Sequence, residues 1–478
     1  MTRTFVFVLV ALLAADSAGA QLSVSRDGRY VVHPDQSAFV WIGDTAWELL
    51  HKLDREQVTR YLDDRQSKGF SVIQTVVLAE LDGLRTPNAY GALPLHDLDP
   101  EKPNEAYFEH VDFIVEEAAK RGLYIGLLPT WGDKVPSEHH GAGPIVFNVD
   151  NAAVFGSFLG DRYRDAPIIW ILGGDRNVSD EARAIWDAMG RAIKRATGGQ
   201  QLLTFHPRGG GTSADWFAAS DWIDFHMYQI GHESRTPNLP RLLERTQQAT
   251  PRRPAVDGEP AYEDIAIRFW EYMDFSLPLR VPPEVLDDDG FIEQPGHFAG
   301  GFITAHDVRI HAFWDFLGGA AGYTYGHNAV WQMRRPGDAI AIPTFRTWEE
   351  ALQRPGAAQM QHLRALWESR PLSRLRPRRD FLVTPDRDGI AAAGSSDDSY
   401  AMVYLPDGGT VTIDTGKLRP KRLRAWWFNP STGEATAAGE FESVGQVSFT
   451  AGESQRYPDS LLVLDDAAAR YPPPGSRR

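Results

Sequence analysis

From Phe39 to about Gln332, short apolar runs alternate with stretches whose apolar positions recur every three or four residues. The runs read as buried strands and the stretches as amphipathic helices, a rhythm that predicts a parallel α/β fold. The first strand is FVWIGDTAW, Phe39 to Trp47. A helix over Asp54 to Lys68 follows, closed by Gly69, a residue suited to a helix C-terminus. The second strand is Phe70 to Glu80, and its helix is Asn104 to Arg121, again closed by a glycine, Gly122. Strand three is Leu123 to Gly132, helix three Ala152 to Tyr163 and strand four Ile168 to Leu172. Ser179 or Asp180 caps helix four, which runs to about Thr197. Strand five is Gln201 to Pro207, strand six Trp222 to Ile230 with the helix Leu239 to Gln248, and strand seven Pro254 to Glu259. The helix Ala305 to Leu317 leads to strand eight, Ala321 to His327.

Eight strands with helices between nearly all of them are most economically closed into a (β/α)8 TIM barrel. A doubly wound open sheet is the rival, but it wants a glycine-rich nucleotide loop after strand one. Asp44-Thr45-Ala46-Trp47 is no such loop, and Gly209 to Gly211 lacks the Lys-Ser/Thr of a phosphate loop. The stretch Ile265 to Gly301, with its prolines and the acidic run Asp287 to Asp289, interrupts the pattern and reads as a lid or substrate wall.

After a helix over Trp348 to Ser369 the texture changes. Short alternating strands separated by turn residues predict a small all-β sandwich. The expected organisation is a barrel over 21–371, a linker over 372–380 packed on it, a sandwich over 381–466 and a disordered tail over 467–478.

Arg3, the apolar run Phe5 to Ala15 and the A-x-A site Ala18-Gly19-Ala20 form a secretory signal peptide over 1–20, too short for a membrane anchor. A periplasmic or secreted protein, with no membrane insertion after cleavage, is expected. The net charge of −15 argues against a nucleic-acid partner. With no cysteine, disulfides, thiolate metal sites and cysteine nucleophiles are excluded. The 14 tryptophans suit a large core, and aromatic faces also stack on sugar C–H surfaces.

Two segments concentrate the candidate chemistry. IIWILGGDRN, Ile168 to Asn177, and RRPAVDGEPAYED, Arg252 to Asp264, each read as a buried strand ending in a carboxylate, Asp175 and Glu259. Barrel strand C-termini converge on one face, and glycoside hydrolysis needs two carboxyls there, one ionised and one protonated. Asp175 is therefore the candidate acid/base and Glu259 the candidate nucleophile. Each has a structural alternative. Asp175 could pair with Arg176 or cap helix four, and Glu259 could pair with a nearby arginine, while Asp257 and Glu263 compete for its role. Further strand-end residues could bind substrate: Asp44, Trp47, Gln74, Trp131, Arg176, His206, Tyr228, Gln229, His232, Tyr325 and His327, with Glu80 and His226 beside them. A histidine metal site is the rival reading, but no H-x-H or HExxH spacing occurs and His139-His140 is an adjacent loop pair. Neither metal nor cofactor is expected.

In this order, WIGDTAW, WILGGDRN, WIDFHMYQIGH, DGEPAYE and AAGYTYGH resemble the apiosidase-like glycoside hydrolases, glycoside hydrolase family 140. The resemblance covers roughly Leu22 to Pro371. WWFNPSTGE, Trp426 to Glu434, resembles the collagen-binding-type β-domain that follows the barrel in that family. What it implies is a retaining (β/α)8 hydrolase, with Asp175 matching the acid/base and Glu259 the nucleophile. It also implies a plant cell-wall substrate, with terminal apiose released from side chains of the pectin rhamnogalacturonan II. The alternatives are a hydrolase of another furanoside or pectic glycoside, and a non-catalytic carbohydrate-binding protein on a barrel scaffold. The small domain is expected to buttress the barrel rather than bind collagen.

Overall fold

The computed structural model describes residues 21–137, 143–236, 239–271, 300–338, 341–342, 344–385, 389–452 and 458–476. The expected signal peptide, His139-His140 and most of the Ile265 to Gly301 insert lie outside the described residues.

Eight parallel strands form the first sheet: β1 (Trp41–Thr45), β2 (Val72–Leu78), β3 (Tyr124–Thr130), β4 (Ile168–Gly173), β5 (Leu203–His206), β6 (His226–Tyr228), β7 (Ala255–Asp257) and β8 (Gly322–Tyr325). Their order is β5-β4-β3-β2-β1-β8-β7-β6. Nearly every position along them is buried, because helices cover the outer face while side chains fill the interior. The remaining seam, β5 to β6, is closed without a regular ladder. The Asp224 amide donates to the Leu203 carbonyl at 2.8 Å, the Leu203 amide donates to Asp224 Oδ2 at 2.8 Å, and Thr204 Oγ1 donates to the Phe225 carbonyl at 2.6 Å. A carboxylate thus substitutes for a strand carbonyl here, so β6 is much shorter than the expected Trp222 to Ile230.

The helices that matter for the site are α1 (Arg55–Ser67), α2 (Glu105–Lys120), α3 (Val149–Arg162), α4 (Asp180–Ala196), α5 (Leu239–Gln247), α6 (Ala305–Leu317) and α7 (Pro355–Glu368). Asp54, Asn148 and Thr304 start α1, α3 and α6 with reciprocal side-chain caps, and Ser179 caps α4. The single helix expected over Trp348 to Ser369 is two, because Pro355 cannot continue a helix and instead begins α7. Among the described residues no helix is long and apolar enough to cross a membrane.

The second domain holds β9 (Leu375–Pro377), β10 (Ala391–Ser395), β11 (Tyr400–Leu405), β12 (Thr410–Asp414), β13 (Arg422–Phe428), β14 (Ala435–Glu442), β15 (Gln446–Thr450) and β16 (Ser460–Asp466). An antiparallel sheet β9-β10-β11-β16-β13-β14 faces the two-stranded ribbon β12-β15. The sequence YAMVYL of β11 is apolar throughout because both of its faces are buried. Ala401, Val403 and Leu405 point into the sandwich, whereas Tyr400, Met402 and Tyr404 join Phe313, Phe316 and Trp367 in the core that continues into the barrel. Phe313 and Tyr404 stack at 4.5 Å, and Arg309 on α6 holds Asp459 through two bonds of 2.8 and 2.6 Å.

Two expectations change at this junction. The 372–380 segment is a working part of the sheet, since β9 pairs with β10. The tail is ordered to residue 476 rather than disordered: Tyr471 covers the Arg370 guanidinium at 4.8 Å, and the Gly475 amide donates to Ser369 Oγ. Arg370 is itself fixed by two bonds to Asp465, and that buried cation gives the tail something to cover. Removing one partner of a buried ion pair strands the other charge. Asp459→Ala is therefore expected to destabilise the whole protein by about 3–5 kcal/mol. Urea unfolding followed by fluorescence from both domains would check this, and a loss confined to β-domain signals would contradict the shared core.

Candidate active site

The site is built where β4 and β7 end. At the end of β4 the backbone passes through Gly173 (φ +90°), Gly174 (φ +127°) and Asp175 (φ +51°), three successive residues in the region that favours glycine. A side chain at 173 would meet the His206 carbonyl at 2.4 Å, and one at 174 the Trp131 ring at 2.8 Å. Only the pair of glycines lets the chain turn this tightly against β3 and β5 and present Asp175. Arg176 Nη1 donates to the Asp175 carbonyl at 2.8 Å and lies 3.7 Å from its Oδ2. The Asp175 side chain is 37% exposed. Burial of the remainder and the nearby negative Glu259 raise its pKa, against the pull of Arg176.

Glu259 lies two residues past β7 in a turn tied on several sides. Gly258 N–H donates to the Tyr228 carbonyl, Gln74 Nε2 donates to the Gly258 carbonyl at 2.9 Å, and Gly231 N–H donates to the Glu259 carbonyl at 3.1 Å. The carboxylate stands between two imidazoles, with His206 Nε2 3.1 Å from Oε2 and His232 Nε2 3.2 Å from Oε1. Burial opposes its ionisation, but the two histidines outweigh burial and hold its pKa at about 2. Tyr262, whose hydroxyl accepts from Trp47 Nε1 at 3.1 Å, also interacts with Glu259. Trp47 and Trp131 pack at 5.1 Å, and both pack against the His206 ring. One wall of the site is therefore aromatic and fixed.

Asp175 and Glu259 open into one cleft of about 760 Å3. Trp47, Trp131, Gln229 and His232 line it with them, and His206 sits behind Glu259. Glu80 is a third carboxyl on the wall, and burial with the neighbouring Asp175 charge pushes it up to about 8.

The other expected residues do not reach the cleft. Asp44 points outward to α1, where Arg65 Nε donates to it at 2.7 Å and Tyr61 bonds it too. Gln74 acts beneath the floor, on Gly258. The Tyr228 hydroxyl donates to Asp315, and the Tyr325 hydroxyl to Glu263 at 2.6 Å. His327 accepts from the Ala329 amide at 2.9 Å and pairs with Asp264 at 3.1 Å. Arg176 reaches the site through the charges of Asp175 and Glu80. Of the competing carboxyls, Glu263 is spent on Tyr325 and the Gly356 amide, and Asp257 lies under the floor. Sequence reasoning missed Arg208, Tyr262, Phe269, Trp270 and Trp331, which also line the cleft. Tyr262 lay within the DGEPAYE motif and was legible there. The rest come from segments beyond the strands, where no periodicity marks them.

Residues 25–374 match the family model described as "Apiosidase-like, catalytic domain", and residues 383–465 match "Putative collagen-binding domain of a collagenase". Among curated proteins none matches the chain. A solved structure described as a glycoside hydrolase is 30% identical, with a TM-score of 0.80, over 94% of this chain and 98% of its own. A glycoside hydrolase family 5 structure from Bacteroides vulgatus is likewise 30% identical, with a TM-score of 0.80, over 95% of each chain. A family 5 mannosidase from Rhizomucor miehei, 11% identical with a TM-score of 0.50 over 73% of this chain and 99% of its own, shares the fold. The barrel and its two facing carboxyls thus belong to a glycoside hydrolase of the apiosidase-like family.

Proposed function

We propose that this chain is an exo-acting, retaining β-apiosidase that releases terminal apiose from rhamnogalacturonan II side chains after export to the periplasm or medium. The observation that carries the reading is that two carboxyls open into one cleft whose surroundings shift them in opposite directions, Asp175 upward and Glu259 downward. Glu259, ionised between two histidines, attacks the anomeric carbon as the bond to the leaving oxygen breaks. Asp175 gives that oxygen its proton. The resulting glycosyl ester on Glu259 is then opened by a water that Asp175, now ionised, deprotonates. While Asp175 holds its proton it adds no negative charge beside Glu259, and after Glu259 is esterified Asp175 ionises more readily, so its two roles come in the required order. The cleft has the size of a small-molecule pocket, which supports recognition of a terminal sugar rather than a long polymer segment.

The pH profile tests the assignment. With Glu259 near 2, kcat/KM is expected to stay level through the mildly acidic range and to fall on the alkaline side as Asp175 loses its proton. An alkaline limb that survives in Asp175→Asn would assign it to Glu80 instead. The same linkage acts on folding. A carboxyl held at about 2, against roughly 4.3 when unfolded, contributes stability above about pH 4 and loses it as pH falls through 2.

Activity is tested on rhamnogalacturonan II oligosaccharides beside a panel of aryl furanosides and pyranosides, with the anomer first released read by proton NMR. Apiose released with retained configuration supports the whole proposal. Another furanose or pectic sugar released with retention keeps the mechanism and changes the substrate. Sugar binding without turnover would favour a carbohydrate-binding barrel.

A further inference from the structure

Beneath the cleft floor lies a second pair of carboxyls that the proposed chemistry leaves idle. Asp257 ends β7 and Asp315 sits near the end of α6, and both are fully buried. Asp257 Oδ1 accepts from the Glu259 amide at 3.3 Å, and Asp257 also accepts from the Ile230 amide. Asp315 Oδ1 accepts from the Tyr228 hydroxyl on β6. The two carboxyls lie within hydrogen-bond reach of each other, and the Oδ2 of each is buried with no donor to satisfy it. Two carboxylates have only lone pairs to offer, so a bond between them needs a proton.

Among the described residues the surroundings provide no cation to replace it. Asp315 faces Tyr228 and Asp257, and Asp257 faces Asp315 and Glu259, with the Tyr323 hydroxyl on β8 nearby. His311, one turn earlier on α6, is bonded to the Arg235 carbonyl. Burial pushes both carboxyls well above the usual carboxylate range, and repulsion from Asp315 adds to the effect on Asp257.

We propose that Asp257 and Asp315 share one proton and act together as positioning residues for Glu259. The pair joins α6 to the ends of β6 and β7. Asp257 then holds two cleft amides, those of Ile230 and Glu259. With both carboxyls ionised, repulsion would part them and loosen the turn that aims Glu259. The catalytic consequence rests on Glu259 being the nucleophile, whereas the shared proton does not.

Asp315→Asn tests the pair because its amide offers an N–H where the proton lies. At pH 8 the infrared difference spectrum between wild type and Asp315→Asn is expected to show a protonated-carboxyl C=O band in wild type only. Asp315→Asn should keep kcat close to wild type, while Asp315→Ala should lose about 10^2-fold in kcat with little change in KM, the cost of a misplaced reacting group. Wild-type stability should decline as pH rises above about 4, because the unfolded acids release protons that the folded pair keeps, and Asp315→Asn should reduce that slope. Absence of the band, an unchanged slope, or equal kcat losses in the two variants would overturn the proposal. If Asp315→Ala does not fold, the band and slope of Asp315→Asn decide alone. Full activity in Glu259→Gln would remove the positioning role, and the band would still judge the shared proton.

Discussion

Glu259→Gln is expected to lower kcat by about 10^4-fold or more, on the natural substrate and on activated aryl glycosides alike. The loss is indifferent to the leaving group because the missing step is bond formation at the anomeric carbon, which every substrate needs. Folding should survive. The turn that carries residue 259 is held through main-chain bonds to Tyr228, Gln74, Gly231 and Asp257, none of which uses the Glu259 side chain. A cooperative melt with unchanged near-ultraviolet dichroism would confirm that the inactive protein is native. The shorter Glu259→Ala leaves space where the carboxylate was. Azide entering that space should restore turnover of an aryl glycoside and give a glycosyl azide of inverted configuration. Substantial activity in folded Glu259→Gln would remove the residue from catalysis.

Asp175→Asn should behave differently, and the contrast is the more discriminating result. With a sugar alcohol as leaving group the missing proton costs about 10^2–10^4-fold. A nitrophenolate departs without help, so formation of the glycosyl-enzyme from a nitrophenyl glycoside should be nearly unimpaired. Its hydrolysis still lacks a base, and the intermediate should accumulate as a burst of nitrophenol followed by slow turnover. Equal losses on both substrates, with no burst, would mean that Asp175 positions the sugar rather than moving a proton.

Both carboxyls were legible in the sequence because each follows a segment that reads as a buried strand, the apolar run Ile168 to Leu172 before Asp175 and the short Pro254 to Val256 before Glu259. Asp44, Tyr228 and Tyr325 were misplaced for the same physical reason that made the strands easy to find. A barrel strand is buried on both faces, so alternation says which residues share a side but not which side looks into the cleft. Gln74 and His327 lie at the right level of the barrel, but Gln74 is spent on the Gly258 carbonyl and His327 on Asp264, partners remote in sequence. In the second domain β14, ATAAGEFE, is a half-exposed edge strand with no apolar alternation to mark it in the sequence. The tail read as disordered because its proline-rich composition is that of a linker, and nothing local reveals that Arg370 waits beneath Tyr471.

The apolar seam between α6 and β11 bears on how this architecture can be inherited. A domain joined by a tether can be exchanged among proteins by recombination, because each partner keeps its own solvent-facing skin. Here Tyr404 and Met402 are outer residues of the small domain only in a formal sense, and without Asp459 the Arg309 guanidinium would lose the carboxylate that holds it through two bonds. A crossover that replaced residues after Pro377 would have to bring a matching counter-surface for Phe313, Trp367 and Arg309, or yield a protein with an oily flank. The two halves are thus expected to have changed together, one residue against its opposite number, and hybrids between distant relatives should express poorly unless both sides of the seam are taken from the same parent.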